Sequence, residues 1–206
     1  AQGRKKHAGD AIFEDVNNDG QLDSKDMKFM GYIRPDKVGG IVNSFKYKGL
    51  TVRVVMDWAM GHVIDNGFKG QIMGSSRNNN NAIKDAMTNS WQSANDGTKY
   101  PKYTVQSDYD YQYRNHMRWD NQIGSSESGS TNNSLYFSKG DYLAFREVSL
   151  SYMLPSTWVR KIRLSGVEVF AGAYNIGYIK KYDGMFPEIY TGVDYGVYPR
   201  PRQYNM

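Results

Sequence analysis

The strict alternation between Leu50 and Met60 is the feature that most constrains how this chain can fold. A β-strand turns successive side chains to opposite faces, so a period of two predicts a strand whose faces differ in polarity. The odd positions include Thr51, Arg53 and Asp57. The even positions are all apolar: Leu50, Val52, Val54, Met56, Trp58 and Met60.

Three further stretches alternate in the same way, at 40–47 (more weakly), 141–154 and 166–178. Their repeating apolar positions are Ile41, Phe45 and Tyr47, then Val148, Leu150, Tyr152 and Leu154, and finally Val167, Val169, Ala171 and Ala173. Such strands suit an antiparallel sandwich whose apolar face packs on a core. They equally suit a membrane barrel whose apolar face contacts lipid.

The lengths of the connections favour the barrel. Lys48-Gly49 is a tight hairpin turn, and 155–164 is a short connection. The connections 61–140 and 179–196 are long, although loops above about 15 residues are uncommon inside a compact domain. Short turns at one end and long loops at the other are typical of outer-membrane barrels. We therefore predict an all-β chain of antiparallel strands with long extracellular loops.

Composition removes several other classes of protein. The chain has 206 residues, a mean hydropathy of −0.69 and no cysteine. Disulfide scaffolds and thiolate sites are therefore excluded, and no apolar run approaches the ~18 residues of a transmembrane helix. Aromatic residues make up 14% of the chain, which indicates a folded protein. The net charge of +5 is scattered in short groups, so we predict solvated surface charge and no nucleic-acid partner.

Two features of the long loop 61–140 have their own interpretation. A short loop helix is predicted over 82–93, with Asn81 as its N-cap. The loop is also rich in tyrosine, and these rings either stack on sugars or on a partner protein, or pack inside an ordered loop. The residues concerned are Tyr100, Tyr103, Tyr109, Tyr111, Tyr113 and Trp119.

The sharpest local motif is a twelve-residue segment that begins at Asp15 and ends at Asp26. It has the spacing of an EF-hand-type calcium loop, with Gly20 at the sharp turn of position 6. Calcium prefers six to eight oxygen ligands, which carboxylates, an amide and a backbone carbonyl can supply. Position 12 is aspartate, as in dockerin-type loops, rather than glutamate. We predict a structural Ca²⁺ held by Asp15, Asn17, Asp19, the carbonyl of Gln21, Asp23 and Asp26.

Patterns typical of enzymes are weak. The three histidines, His7, His62 and His116, are far apart and lack the spacing of a metal site. The sequence has neither a Gly-x-Ser-x-Gly elbow nor a phosphate-binding loop. Asp108 and Asp110, which with Glu127 are the best candidate carboxylates, lie among loop tyrosines and are interpreted as solvated charge. We predict that the chain is not an enzyme and has no catalytic residues.

An ordered set of motifs resembles the C-terminal third of SusC/RagA-type TonB-linked outer-membrane transporters. No single motif is specific, but the set covers nearly the whole chain in the order typical of the family. The segments are Gly9-Asp10, Gly31-Tyr32-Ile33-Arg34-Pro35, Phe45-Lys46-Tyr47-Lys48-Gly49-Leu50, Ser90-Trp91, Tyr100-Pro101, the run from Gly140 to Pro155, Tyr174-Asn175-Ile176, the run from Tyr182 to Glu188, and the run from Asp194 to Arg202.

The resemblance implies the C-terminal portion of a 22-stranded transmembrane β-barrel in the bacterial outer membrane. It implies import of oligosaccharides or peptides in Bacteroidetes-type bacteria, with a SusD-like surface lipoprotein as a lid. TonB would act through an N-terminal plug region that this chain lacks, so a fragment of the barrel is expected. The alternatives are a secreted calcium-stabilised β module that binds carbohydrate or protein and, less favoured, a glycan-active enzyme.

The predicted layout places all of residues 1–206 in one barrel segment. Residues 1–37 form an extracellular loop with the calcium motif, and 38–60 form a hairpin. A long extracellular loop follows at 61–140, then a strand pair at 141–178 and a further extracellular loop at 179–196. Residues 197–206 begin the last strand, and the even positions of 50–60 are predicted to face lipid.

Overall fold

The computed structural model describes residues 7–20, 24–73, 84–98, 100–102 and 134–206. They form two compact units, of which the second contains Tyr32–Ile64, Ser138–Tyr190 and Val197–Met206. The first contains the described parts of Ala1–Gly31, Asp65–Phe137 and Thr191–Gly196. The helices of the described residues are short, and none is long and apolar enough to cross a membrane.

The second unit is built on one antiparallel sheet of five strands in the order β1-β2-β5-β6-β7. The predicted alternating stretches all lie in this sheet, so the all-β antiparallel fold class is confirmed. A separate two-stranded sheet pairs β3 with β4. The strands are β1 (Lys37–Tyr47), β2 (Leu50–Met60), β3 (Val63–Asp65), β4 (Phe137–Lys139), β5 (Tyr142–Met153), β6 (Glu168–Lys180) and β7 (Gln203–Asn205).

The register shows that the two faces of the sheet differ in polarity, as the alternation predicted. Side chains paired across antiparallel strands point to the same side. One row runs Phe45–Val52–Leu150–Ala171, and the next row, on the opposite face, runs Ser44–Arg53–Ser149–Gly172. The apolar face is exposed rather than packed on a core, since Phe45 is 59% and Leu150 is 47% accessible.

The polar face, by contrast, contains the buried side chains of the sheet. Ala59, Tyr142 and Ala144 form a buried cluster there, with Tyr178 packed against it. The segment that follows β6 lies over this face and contributes a second buried cluster of Ile64, Tyr182, Phe186 and Ile189, which also contacts Tyr178. The sheet is therefore covered on its polar face and bare on its apolar face, the reverse of a soluble sandwich.

A β-bulge interrupts the register near the middle of β5. Val55 pairs with Glu147 and Met56 pairs with Phe145, so Arg146 has no partner in the ladder. The pairing of β5 with β6 shifts at the same point. A bulge places an extra residue in one strand and changes the direction in which its side chain points. Arg146 and Glu147, although consecutive, both make ion pairs with polar-face residues of β2.

The two short connections predicted at Lys48-Gly49 and at 155–164 lie together at one end of the sheet. Gly49 has a φ of +85°, and a Cβ atom there would lie 2.8 Å from the carbonyl oxygen of Met153. Only glycine combines this left-handed backbone with so close an approach. The β5–β6 connection contains a helical turn, α3 (Ser156–Val159), followed by a 3₁₀ turn (Arg160–Ile162).

In its described residues the first unit contains helices α1 (Gly67–Met73) and α2 (Lys84–Thr88), together with 3₁₀ turns at Ser24–Asp26 and Ser134–Tyr136. The helix predicted over 82–93 is thus present but shorter, and its predicted N-cap Asn81 lies outside the described residues. The chain beyond α2 turns back early, because the backbone N–H of Trp91 donates to Tyr100 and that of Tyr100 donates to Asn89.

Candidate functional site

Arg146 is the centre of the polar face. Its Nε and Nη2 atoms donate to the two carboxylate oxygens of Asp57 at 2.6 and 2.8 Å, which is a bidentate pair. The Nη1 atom lies 2.5 Å from Oε1 of Glu188. One guanidinium thus joins β2 and β5 to the segment that follows β6, and the bulge in β5 is what brings it there.

Glu188 is the most buried member of this cluster, with a side chain only 1% accessible. Its Oε1 accepts a hydrogen bond from the Tyr178 hydroxyl at 2.6 Å, and its Oε2 lies 3.3 Å from Nη2 of Arg200. Burial raises the pKa of Glu188, but the hydrogen bonds from Arg146 and Tyr178 and the charges of Arg146 and Arg200 outweigh it and hold the pKa below its ordinary value. The carboxylate is therefore ionised, paired and fixed.

A second set of polar contacts lies at the other end of the sheet, away from the two short turns. Asp141, at the start of β5, accepts from the backbone N–H of Gly61 at 2.8 Å and from Lys181 at 3.0 Å. Burial raises the pKa of Asp141, and these contacts lower it further than burial raises it. Burial lowers the pKa of the neighbouring His62 despite the negative charge of Asp141.

A cavity of about 490 Å³ opens on this polar face beside Arg146. The turn residues 33–35 lie on one side, residues 187–190 lie on another, and the polar face of the sheet forms its floor. His62 lines the cavity, is 5% accessible, and has no hydrogen-bond partner for Nδ1 among the described residues. The lining combines aromatic, acidic and basic groups, which suits non-covalent binding of a polar molecule.

The predicted calcium loop is described only in part, because Gln21 and Asp23 lie outside the described residues. In the remainder, Asp15 accepts from the backbone N–H groups of Asp19 at 3.3 Å and Gly20 at 2.8 Å. Asp26 accepts from the N–H of Val16 at 2.9 Å, which joins the two ends of the loop. Gly20 has a φ of +78°, as the turn of the motif requires.

These contacts bring Asp15, Asn17, Asp19 and Asp26 into one loop of oxygen donors, which fits the chemistry of a hard cation. No group of three or more His, Cys, Asp or Glu side chains arranged for a metal ion is found within the described part of the chain. The calcium site therefore stays a prediction.

The tyrosine-rich loop is also described in part. Tyr100 is 4% accessible, packs with Tyr136 and Leu135, and donates to Asp85 at 2.6 Å, so it serves internal packing. Burial raises the pKa of Tyr136. The other aromatic residues of that loop, Tyr103, Tyr109, Tyr111, Tyr113 and Trp119, lie outside the described residues, as do His116, Asp108, Asp110 and Glu127.

Sequence reasoning missed the cluster of Asp57, Arg146 and Glu188. The period of β2 places Asp57 on the polar face, but nothing in the period of β5 directs Arg146 toward it. Two signals could have revealed the cluster. Charged residues occur inside two predicted strands, and a further acidic residue occurs among apolar ones in the following loop, in Met185-Phe186-Pro187-Glu188.

Comparison with known proteins supports the family resemblance. No family model matches the chain. It is 25% identical over 210 aligned residues to TonB-dependent receptor P3 of Formosa agariphila, covering 96% of this chain and 18% of that protein. It is 24% identical to TonB-dependent receptor P39 of the same organism, covering 88% of this chain and 16% of the relative. The chain thus spans less than a fifth of the curated relatives it matches.

Solved structures agree in fold. The RagAB peptide transporter aligns with a TM-score of 0.59 over 84% of this chain, at 23% identity and 16% of its own length. The RagAB peptide importer in its open-open state aligns with a TM-score of 0.60 over 86% of this chain, at 21% identity and 17% of its own length. With these matches the resemblance of the chain to SusC/RagA-type TonB-linked transporters, first indicated by its ordered motifs, is confirmed in both sequence and fold.

Proposed function

We propose that this chain is a wall segment of an outer-membrane TonB-dependent importer. The observation that carries the proposal is the reversed polarity of the sheet, with an exposed apolar face and a covered polar face. A barrel wall requires this arrangement because its outer surface contacts hydrocarbon while its interior is polar. The similarity to TonB-dependent receptors over nearly the whole chain supports the same conclusion, including the outer-membrane location.

The cargo is proposed to be a large nutrient, an oligosaccharide or a peptide, and the partner a SusD-like surface lipoprotein. The RagAB structures are described as a peptide transporter and importer, which supports the transport class. TonB would supply energy through a plug region outside this chain. The relatives are receptors and a transporter, so non-covalent binding, rather than catalysis, is the role proposed for the cavity beside Arg146. The sequence matches to TonB-dependent receptors cover nearly the whole chain, which disfavours a secreted β module.

Uptake assays on a strain that lacks the full-length parent gene test the importer function. Fluorescent oligosaccharides and fluorescent peptides are offered separately, and we expect uptake of one class to fall at least tenfold and to return on complementation. An uncoupler of the inner-membrane proton gradient should abolish the restored uptake. Equal uptake of both classes with and without the gene would contradict the proposal.

Lysine substitutions at neighbouring positions of β2 test which face contacts lipid. Val54 shares the apolar face with Val148, whereas Val55 pairs with Glu147 on the polar face. A lysine on the lipid face near the middle of the membrane costs about 2–4 kcal/mol. Val54→Lys should therefore reduce the folded, heat-modifiable protein in the outer-membrane fraction. Val55→Lys, the matched control at the same depth, should leave it nearly unchanged. Equal losses would reject the face assignment.

The segment 181–190 is proposed to form a fixed part of the lumen wall, held by Glu188. Glu188→Gln keeps the shape but removes the charge that pairs with Arg146, and breaking a buried pair costs about 3–5 kcal/mol. Glu147→Gln is the control, since its partner Arg53 is 44% accessible and an exposed pair contributes about 0–1 kcal/mol. A nitroxide at Met185→Cys should gain mobility in the first variant only. Equal mobility in both would show that Glu188 does not fix the segment.

The lowered pKa of Glu188 also predicts how the stability of the segment 181–190 changes with pH. The stabilisation by its charge is fully present above the ordinary pKa of a glutamate and is lost as the pH falls through the lowered value. The nitroxide at position 185 should therefore become mobile on acidification in the wild type. In Glu188→Gln its mobility should depend little on pH, and the same acid response in both would assign the change to another group.

Calcium binding to the Asp15–Asp26 loop remains part of the proposal, as a structural ion that stabilises an exposed loop. Asp15→Ala removes a carboxylate at the first ligand position and should weaken Ca²⁺ binding at least tenfold in isothermal titration of the full-length parent. Glu14→Gln is the control, because that carboxylate is adjacent in sequence but occupies no ligand position. Identical heats for wild type and Asp15→Ala would exclude this loop as the site.

A further inference from the structure

A cluster of basic side chains marks the end of the sheet where the two short turns lie. Its members, which we call the basic rim, are Lys48, Arg160, Lys161 and Arg163. The turns that carry them are neighbours, because the backbone N–H of Met153 donates to the carbonyl of Gly49 at 2.8 Å. The N–H of Leu154 likewise donates to the carbonyl of Val167 at 2.9 Å, which closes the second connection.

The charges of the basic rim are not neutralised within the described part of the chain. The ion pairs found there involve other lysines and arginines, such as Arg146 with Asp57 and Lys181 with Asp141. Glu168, the first residue of β6, follows the second connection and makes no ion pair in the described residues. Unpaired cations at one end of a sheet attract an anionic partner.

Exposed apolar and aromatic side chains accompany the charges. Trp158 is 62% and Ile162 is 64% accessible in the connection between β5 and β6. The last apolar row of the sheet contains Tyr47 and Tyr152, and the ammonium of Lys48 lies 5.2 Å from the centre of the Tyr47 ring. Aromatic rings with nearby cations are typical of the boundary between hydrocarbon and headgroups.

We infer that the basic rim binds the headgroups of anionic phospholipids in the leaflet that borders the periplasm. This rests on the proposed function, because the short turns of an outer-membrane barrel lie on the periplasmic side. The apolar face places the rim at the level of the headgroups, and long lysine and arginine side chains reach phosphates there while their stems stay near hydrocarbon. The unpaired charge then selects anionic over zwitterionic lipid.

Native mass spectrometry of the full-length parent in detergent tests the inference, with phosphatidylglycerol as the probe and phosphatidylcholine for comparison. Each cation near an anionic surface changes binding about fivefold. Arg160→Gln/Lys161→Gln should therefore weaken phosphatidylglycerol binding roughly 25-fold and leave phosphatidylcholine binding unchanged. Lys37→Gln/Lys139→Gln, which removes two exposed cations far from the short turns, should retain wild-type binding of both lipids.

The outcomes separate this inference from the proposed function. Equal binding of phosphatidylglycerol by all three proteins would overturn the lipid assignment while leaving the importer intact. Competition by millimolar inorganic phosphate would identify a site for free anions and would also overturn it. An equal loss of phosphatidylglycerol binding in both double variants would show that binding depends on net charge alone, and would overturn the assignment to the basic rim. Failure of the parent to enter the outer membrane would instead reject the proposed function, as the lysine substitutions in β2 measure directly.

Discussion

The guanidinium of Arg146 connects three separate parts of the second unit. It makes a bidentate pair with Asp57 in β2 and an ion pair with Glu188 after β6. A guanidinium offers a rigid planar set of donors, so two carboxylates on different sides of it fix each other's positions. With Glu188 in place, residues 187–190 lie over the sheet and form one side of the cavity. Loss of this cation would leave a carboxylate that is nearly inaccessible without its strongest partner.

The cluster exists because the alternation fails at one residue. A strict period of two through β5 would place Arg146 on the same face as Val148 and Leu150, which is the exposed apolar face. The bulge opposite Val55 and Met56 inserts one unpaired residue and returns Arg146 to the polar face beside Glu147. On the polar face the guanidinium reaches the carboxylates of Asp57 and Glu188, and the arrangement costs one ladder position. The local irregularity thus serves the global arrangement of faces.

The predictable parts of the fold are those governed by local physics. The strand period, the Gly49 turn and the identity of the apolar face follow from side-chain alternation and backbone sterics, and the structure confirms them. The helix predicted over 82–93 already ends at Thr88, because the chain beyond it pairs with Tyr100 instead of continuing the helical turn. Tyr100 itself packs internally, although the sequence of its tyrosine-rich loop was equally consistent with an exposed contact surface.

By itself the sequence determined that the chain forms antiparallel strands with one apolar face, and its ordered motifs indicated the family. The strands and their apolar face follow from the alternation of residues two positions apart. The family resemblance follows from the order of short motifs along the chain. Only the tertiary structure decided that the apolar face stays bare, that the segment after β6 covers the polar face, and that Arg146 pairs with Asp57 and Glu188. These contacts join residues separated by 89 and 42 positions, as 146 − 57 and 188 − 146 show. No local period encodes them, because they form only when the register and its bulge are set.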